Sequence, residues 1–179
     1  SLNPVFETAT STNNVVQVKD SALGLPPALA PDLSDGRVPF YTSINPTIAP
    51  RFRIKGFFDG TSTPIPVYLP GEMQLIKAEV YARQNDSTQS KVFLNAVVTK
   101  SSDPFNVAAN LPAITSVNSY ANLLDQIYRN RCIELYMSGL KLEDMRRFNR
   151  PVSERKRSYL PYPFRERDNN PNTPVDPAF

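Results

Sequence analysis

The sequence predicts a mainly α protein: helix hairpins in tetratricopeptide-like packing, joined by long proline-rich loops, with at most one small β-hairpin. Three observations carry this. Apolar residues recur at helical spacing over 71–83, 86–98 and 119–138. There are 18 prolines against 6 glycines, and each proline removes a backbone donor and fixes its own φ, so irregular segments must separate the helices. The few β-prone runs are short and all precede residue 70. The chain therefore divides into a loop-rich region over 1–69 and a helical region with an extended tail over 70–179.

The first region is punctuated by Asn13-Asn14, Leu25-Pro26-Pro27, Ala30-Pro31-Asp32, Asp35-Gly36, Asn45-Pro46, Asp59-Gly60 and Pro64-Ile65-Pro66, all turn formers or breakers. No helix of ordinary length fits between them. Three strand candidates do fit: Val15 to Val18, Arg51 to Lys55 and Ile65 to Leu69. The second alternates charged and apolar residues, as a half-buried strand does.

Pro70 opens the helical region. From Gly71 to Arg83, Met73, Ile76 and Val80 share one face and Leu75, Ala78 and Ala82 another, so this helix is expected to be sandwiched. Asp86 and Gln89 are spaced like a capping box before a second helix whose stripe is Val92, Phe93, Ala96 and Val97. A loop over 101–118 contains Pro104 and Pro112. A long helix then runs from about Ser119 to Ser138 on a face of Tyr120, Leu123, Leu124, Ile127, Tyr128 and Leu135, with Gly139 as its cap. A short helix over Leu140 to Phe148 follows. The tail is expected to lie extended along the helices, anchored by Tyr159, Leu160, Tyr162 and Phe164. No clean repeat appears at a period of about 34 residues, so periodicity alone does not establish tetratricopeptide units.

Composition narrows the function. The 179 residues suffice to bury about two-thirds of the unfolded surface in one domain. A net charge of +3 with a pI near 9.0 could suggest nucleic acid. The cations are scattered, however, and the densest cluster, Arg146 to Arg157, is interrupted by Asn149, Pro151 and Glu154, so no phosphate-tracking stripe forms. The single Cys132 cannot form an internal disulfide. The chain has no histidine, which removes Ser-His and Cys-His nucleophile schemes and most zinc sites. No stretch approaches the roughly 20 apolar residues of a membrane span, and Ser1-Leu2-Asn3-Pro4 has no charged-then-apolar leader, so the chain reads as soluble. No cofactor or metal is implied. Asp168-Asn169-Asn170-Pro171-Asn172 starts like a calcium loop, but Thr173 replaces the glycine and Phe179 the bidentate glutamate of such a loop.

Four segments, read together, point to a family. Gly71 to Arg83 (GEMQLIKAEVYAR) is followed by Leu94-Asn95-Ala96-Val97-Val98. Then comes RNRCIELYMSGLKLEDMRRFNR, and after it Leu160-Pro161-Tyr162-Pro163 with Glu166 and Asn170-Pro171-Asn172. In this order they resemble the C-terminal signature of the SusD/RagB family of outer-membrane nutrient-binding lipoproteins. Arg131, Glu134, Leu135, Gly139, Asp144, Arg146 and Arg147 match the signature helix, with Phe148 in its tryptophan position, and Asp35-Gly36-Arg37 resembles an upstream aspartate–arginine pair. Asn130, Ser138, Lys141 and the last five residues depart from the family pattern, which marks a divergent branch.

The resemblance implies the C-terminal portion of a SusD-like alpha-alpha superhelix. It implies a protein held at the cell surface on the outer membrane by an N-terminal lipid anchor that lies outside this chain. Such a protein captures an oligosaccharide or other nutrient without catalysis and hands it to a SusC-like TonB-dependent transporter.

Two residue sets carry these expectations. Arg131, Glu134, Asp144, Arg146 and Arg147 stand three or four apart in pairs, so they form a structural charge network. Glu134 and Asp144 as a glycosidase acid/base pair would need a cleft without arginine neighbours and a separation of roughly 5 to 9.5 Å. Tyr41, Asn45, Arg51, Phe57, Phe58 and Tyr68 either cover the helical core or form a ligand-facing loop set, since loops on a rigid scaffold commonly carry binding. The alternative to nutrient capture is a helical protein–protein interaction module without a small-molecule ligand. Outward aromatics around a concavity favour the first; buried aromatics with an exposed apolar helix groove favour the second.

Overall fold

A computed structural model describes residues 3–7, 18–44, 52–155 and 162–175. They are mainly helical, with one two-stranded antiparallel sheet, and the chain forms two compact units, Ser1–Gly139 and Leu140–Phe179. No helix among the described residues is long and apolar enough to cross a membrane.

In the first unit, a 3-10 turn at Pro27–Leu29 precedes the short helix α1 (Arg37–Tyr41), which leads directly into β1 (Thr42–Ile44). Strand β2 (Phe52–Ile54) pairs antiparallel with it, Ser43 opposite Arg53. Val18 bridges to Phe52 through reciprocal backbone bonds of 3.1 and 2.9 Å. The expected Arg51–Lys55 strand is thus present at its centre. Its partner is 42–44, and Ile65 to Leu69 is not a strand: Pro64 and Pro66 lack the donors a ladder needs. Val15 to Gln17 lie outside the described residues.

Helix α2 (Pro70–Arg83) starts on a proline, whose missing N–H costs nothing in the first turn. It carries Glu72 near its start and Arg83 near its end, in keeping with the helix dipole. It stops where Asn85 takes a left-handed φ of 63°. Three residues after α2, α3 (Ser87–Val98) begins, and α4 (Tyr120–Glu134) packs against both. The Asp86 side chain accepts the Gln89 N–H at 2.9 Å, as the spacing predicted. Asp86→Ala is expected to lower stability by about 1 kcal/mol, read as a shift in urea midpoint.

The helix faces differ from expectation. Helix α2 is not sandwiched: Leu75, Ala78 and Ala82 are buried, while Met73, Ile76 and Val80 are 40, 41 and 47% exposed. Helix α3 meets α2 at Ala78, through Ser90, and at Tyr81, whose ring stacks on Phe93 at a centroid distance of 5.4 Å. On α3 the buried set is Ser90, Leu94, Val97 and Val98, and Val92 is exposed. Ser90 is interior because its hydroxyl donates to the Ala78 carbonyl of α2 at 2.8 Å. Helix α4 ends at Glu134, not Ser138. The Glu134 carbonyl, which a continuing helix would give to the Ser138 N–H, accepts the Tyr41 hydroxyl at 2.6 Å, and the Ser138 N–H turns to Leu135. Gly139 does take a left-handed φ of 87°, beyond that break. Tyr120, expected on the packed face, is half exposed.

The second unit contains α5 (Lys141–Arg147), α6 (Val152–Arg155) and α7 (Phe164–Asn169). The tail is thus partly helical where it was expected to be extended. Pro163 leads into α7, with Glu166 in its first turn and Arg167 in its last. Tyr162 and Phe164, expected as anchors, are 40 and 70% exposed; Tyr159 and Leu160 lie outside the described residues.

Candidate functional site

Five charged residues of the first unit, Asp35, Arg37, Lys100, Asp103 and Glu134, converge on one buried cluster. Asp35-Gly36-Arg37 forms its first arm. The Asp35 carboxylate accepts the Arg37 backbone N–H at 3.0 Å and its guanidinium twice, at 2.9 and 2.7 Å. Gly36 is required: its N–H bonds the Ala109 carbonyl, and a Cβ there would stand 2.6 Å from the Ala108 carbonyl oxygen.

The guanidinium then reaches α4, donating to Asn130 Oδ1 at 2.8 Å and to Glu134 Oε2 at 3.3 Å, one turn apart. The other carboxylate oxygen of Glu134 accepts Lys100 Nζ at 2.5 Å, and Lys100 also meets Asp103 at 2.8 Å. Asp103 in turn holds the loop after α3 by accepting the N–H groups of Phe105 and Val107. Asp35, Arg37 and Glu134 have no solvent exposure. Burial acts to lower the Arg37 pKa, but the hydrogen bonds and charge of Asp35, and then of Glu134, outweigh it and raise the value above the ordinary arginine range.

This geometry answers the expected charge network in part. Glu134 is fastened, yet its cations come from Arg37 and Lys100 on other segments. Asn130, outside the expected network, also takes part, its amide oxygen accepting from Arg37. In the second unit Asp144 meets Arg147 and Glu143 meets Arg146, both at 2.5 Å. Neither Glu134 nor Asp144 is open: they are 0 and 4% exposed and each contacts a guanidinium.

The proposed ligand-facing aromatics are mostly interior. Tyr41 is wholly buried, packing edge-on against Phe40, Phe57 and Tyr136 at centroid distances of 4.9, 6.2 and 5.6 Å. Phe57 is half-buried in the same cluster, over Leu69, Val107 and Leu135. Phe58 is core, with Ile54. Only Tyr68 is exposed; Asn45 and Arg51 lie outside the described residues. Tyr41 and Phe58 are therefore corrected from ligand contacts to core: Tyr41 packs with Leu69, Val107 and Leu135, and Phe58 with Ile54, Val5 and Val18. The Asp168 to Asn172 stretch closes α7 in a turn whose Asn170 Oδ1 accepts the Asn172 N–H at 3.0 Å.

The Tyr41 hydroxyl links the two features by capping the Glu134 carbonyl. Tyr41→Phe strands that buried acceptor and is expected to cost about 1 to 2 kcal/mol. Burial first, and then the Glu134 charge, raise the phenol above its ordinary 10.0. The native state keeps a proton that the unfolded chain releases, so this contribution is complete below about pH 10 and is lost as pH rises further. Urea midpoints followed from about pH 8 to about pH 11 should fall more steeply in wild type than in Tyr41→Phe.

Lys100, Asp103 and Gly71 escaped the sequence reading. Gly71 faces Glu134 so closely that a Cβ would overlap the carboxylate. Asp103 before Pro104 was the one local signal, a turn former at a helix exit. No protein-family model matches the chain, and neither a curated protein nor a solved structure matches it.

Proposed function

We propose that this chain is the C-terminal helical portion of a surface nutrient-binding protein of the SusD/RagB kind, with hairpins in a tetratricopeptide-like superhelix. In this reading it binds a glycan or other nutrient without catalysis and passes it to a TonB-dependent outer-membrane transporter. One observation supports it most. The two arms of the resemblance, the Asp35-Gly36-Arg37 turn and the signature helix, stand 97 residues apart and meet in a single buried ion-pair cluster. Residues spent on such a joint make a rigid platform, with recognition left to the surface.

The test is a panel of oligosaccharides offered to the purified chain, with calorimetry for binding and a reducing-end assay for cleavage. Saturable binding without product is the expected result. Release of sugar would sink the reading.

A second reading, a helical protein-docking module, is favoured by the exposed apolar ridge of Met73, Ile76 and Val80 on α2 and Val92 on α3. An empty sugar panel would shift the conclusion to it. In that case Ile76→Lys with Val80→Lys would abolish docking of an amphipathic partner helix while leaving the helical circular dichroism unchanged.

A further inference from the structure

With Tyr41 and Phe58 interior, a capture surface has to be sought elsewhere. Where the turn between α2 and α3 meets the loop entering α4, a half-open cleft of about 240 Å³ is cut into the first unit. Its floor is apolar: Ala82 and Leu123 are each 1% exposed. Its rim is polar and aromatic, with Asn85 on one side, Asn118 and Ser119 on the other, and the Tyr120 ring 48% exposed beside them.

None of the residues lining it carries a charge at neutral pH. An anion or cation bound there would lose hydration and gain no counter-charge. A neutral ring loses less. An exposed tyrosine face and an apolar floor suit the C–H surface of a sugar ring, and the amides and the serine hydroxyl suit its hydroxyls. The Asn85, Asn118 and Tyr120 side chains make no hydrogen bond among the described residues, so these donors and acceptors are available. The size argues for one ring, since pockets for larger ligands run from roughly 300 to 1,000 Å³.

The cleft is also held open by its own structure. Asn85 is fixed in the left-handed turn by its N–H bond to Ala82 at 2.9 Å. On the opposite side Asn95 of α3 grips Ile114 from both ends of its amide, at 3.0 and 2.8 Å, which anchors the loop a few residues before Asn118. Ser119 caps α4 by accepting the Asn122 N–H at 3.1 Å. A preformed cleft binds without first ordering a loop.

We infer that this cleft is a binding site for a single neutral sugar ring, such as the terminal residue of a glycan; the choice of sugars among neutral hydroxylated rings rests on the capture reading above. The experiment is an amide NMR titration of the isotopically labelled full chain with glucose, galactose, mannose and N-acetylglucosamine, and with glucuronate as the charged control. At least one neutral sugar is expected to shift the amides of Asn85, Asn118 and Tyr120 in a saturable way. Tyr120→Ala is expected to weaken that binding about tenfold, the scale of one lost aromatic contact, and Asn118→Ala severalfold. Both side chains are exposed, so neither change threatens folding.

Saturable binding that moves amides elsewhere and survives Tyr120→Ala overturns this site while leaving the capture reading intact. Equal affinity for glucuronate overturns the neutral ligand class. No response to any of these sugars or to the oligosaccharide panel overturns both.

Discussion

An Arg37→Ala chain unfolds with about 3 to 5 kcal/mol less free energy than wild type, the usual cost of removing one partner from a buried ion pair. The size follows from what is left behind. Among the described residues Glu134 keeps Lys100, Asn130 loses its guanidinium, and Asp35 keeps the backbone N–H of residue 37 but loses two side-chain donors, all with little or no access to water. Urea denaturation monitored by circular dichroism reads the effect. The partner experiment is Glu134→Ala, alone and combined with Arg37→Ala. Because both act on one contact network, the double change should cost clearly less than the two single losses added together. Additive losses, or a single loss below about 1 kcal/mol, would mean that Arg37 is a passive occupant of the core.

How far this was legible depends on the kind of signal. Helices α2, α3 and α4 stood out because each combines helical periodicity with a local marker: Pro70 before α2, Asp86 before α3, Ser119 before α4. The faces of α2 and α3 were misread for one physical reason, whereas the α4 face was read correctly at Leu123, Ile127, Tyr128 and Leu135. A hydropathy pattern assumes that polar residues face water, yet Glu79, Ser90, Asn130, Arg131 and Glu134 are all buried, and those with partners described above are held inside by hydrogen bonds. The same assumption turned Met73, Ile76 and Val80 inward. Strand β1 was invisible because three residues carry no period, and its register is fixed by β2 and by the Lys55 N–H on the Tyr41 carbonyl at 2.8 Å. The charge cluster lies beyond any spacing argument. Lys100 reaches Glu134 across 34 residues and Arg37 reaches it across 97, whereas sequence spacing sees only pairs within one helical turn. Turn chemistry marked Asp35-Gly36, and resemblance alone added Arg37.

Gly71→Ala is expected to change sign with its background, which makes it the sharpest probe of the joint. Gly71 lies in the first turn of α2 and is not in the left-handed region. By propensity alone alanine would stabilise the helix by up to about 1 kcal/mol. In the wild-type chain, however, the added Cβ would sit 2.5 Å from Cδ and 2.8 Å from Cγ of Glu134 and overlap its carboxylate. Glu134 cannot swing aside at low cost, because Arg37 and Lys100 hold both of its oxygens and it has no exposed surface. Either α2 retreats from α4 or the ion pairs break. Both routes cost about 3 kcal/mol, so the clash outweighs propensity and the net loss is about 2 kcal/mol. In a Glu134→Ala background the obstacle is gone, and the same Gly71→Ala change becomes neutral or stabilising. Paired urea midpoints of the four chains decide it. A Gly71→Ala loss that is equal in both backgrounds would show that the Glu134 carboxylate is not what keeps residue 71 a glycine.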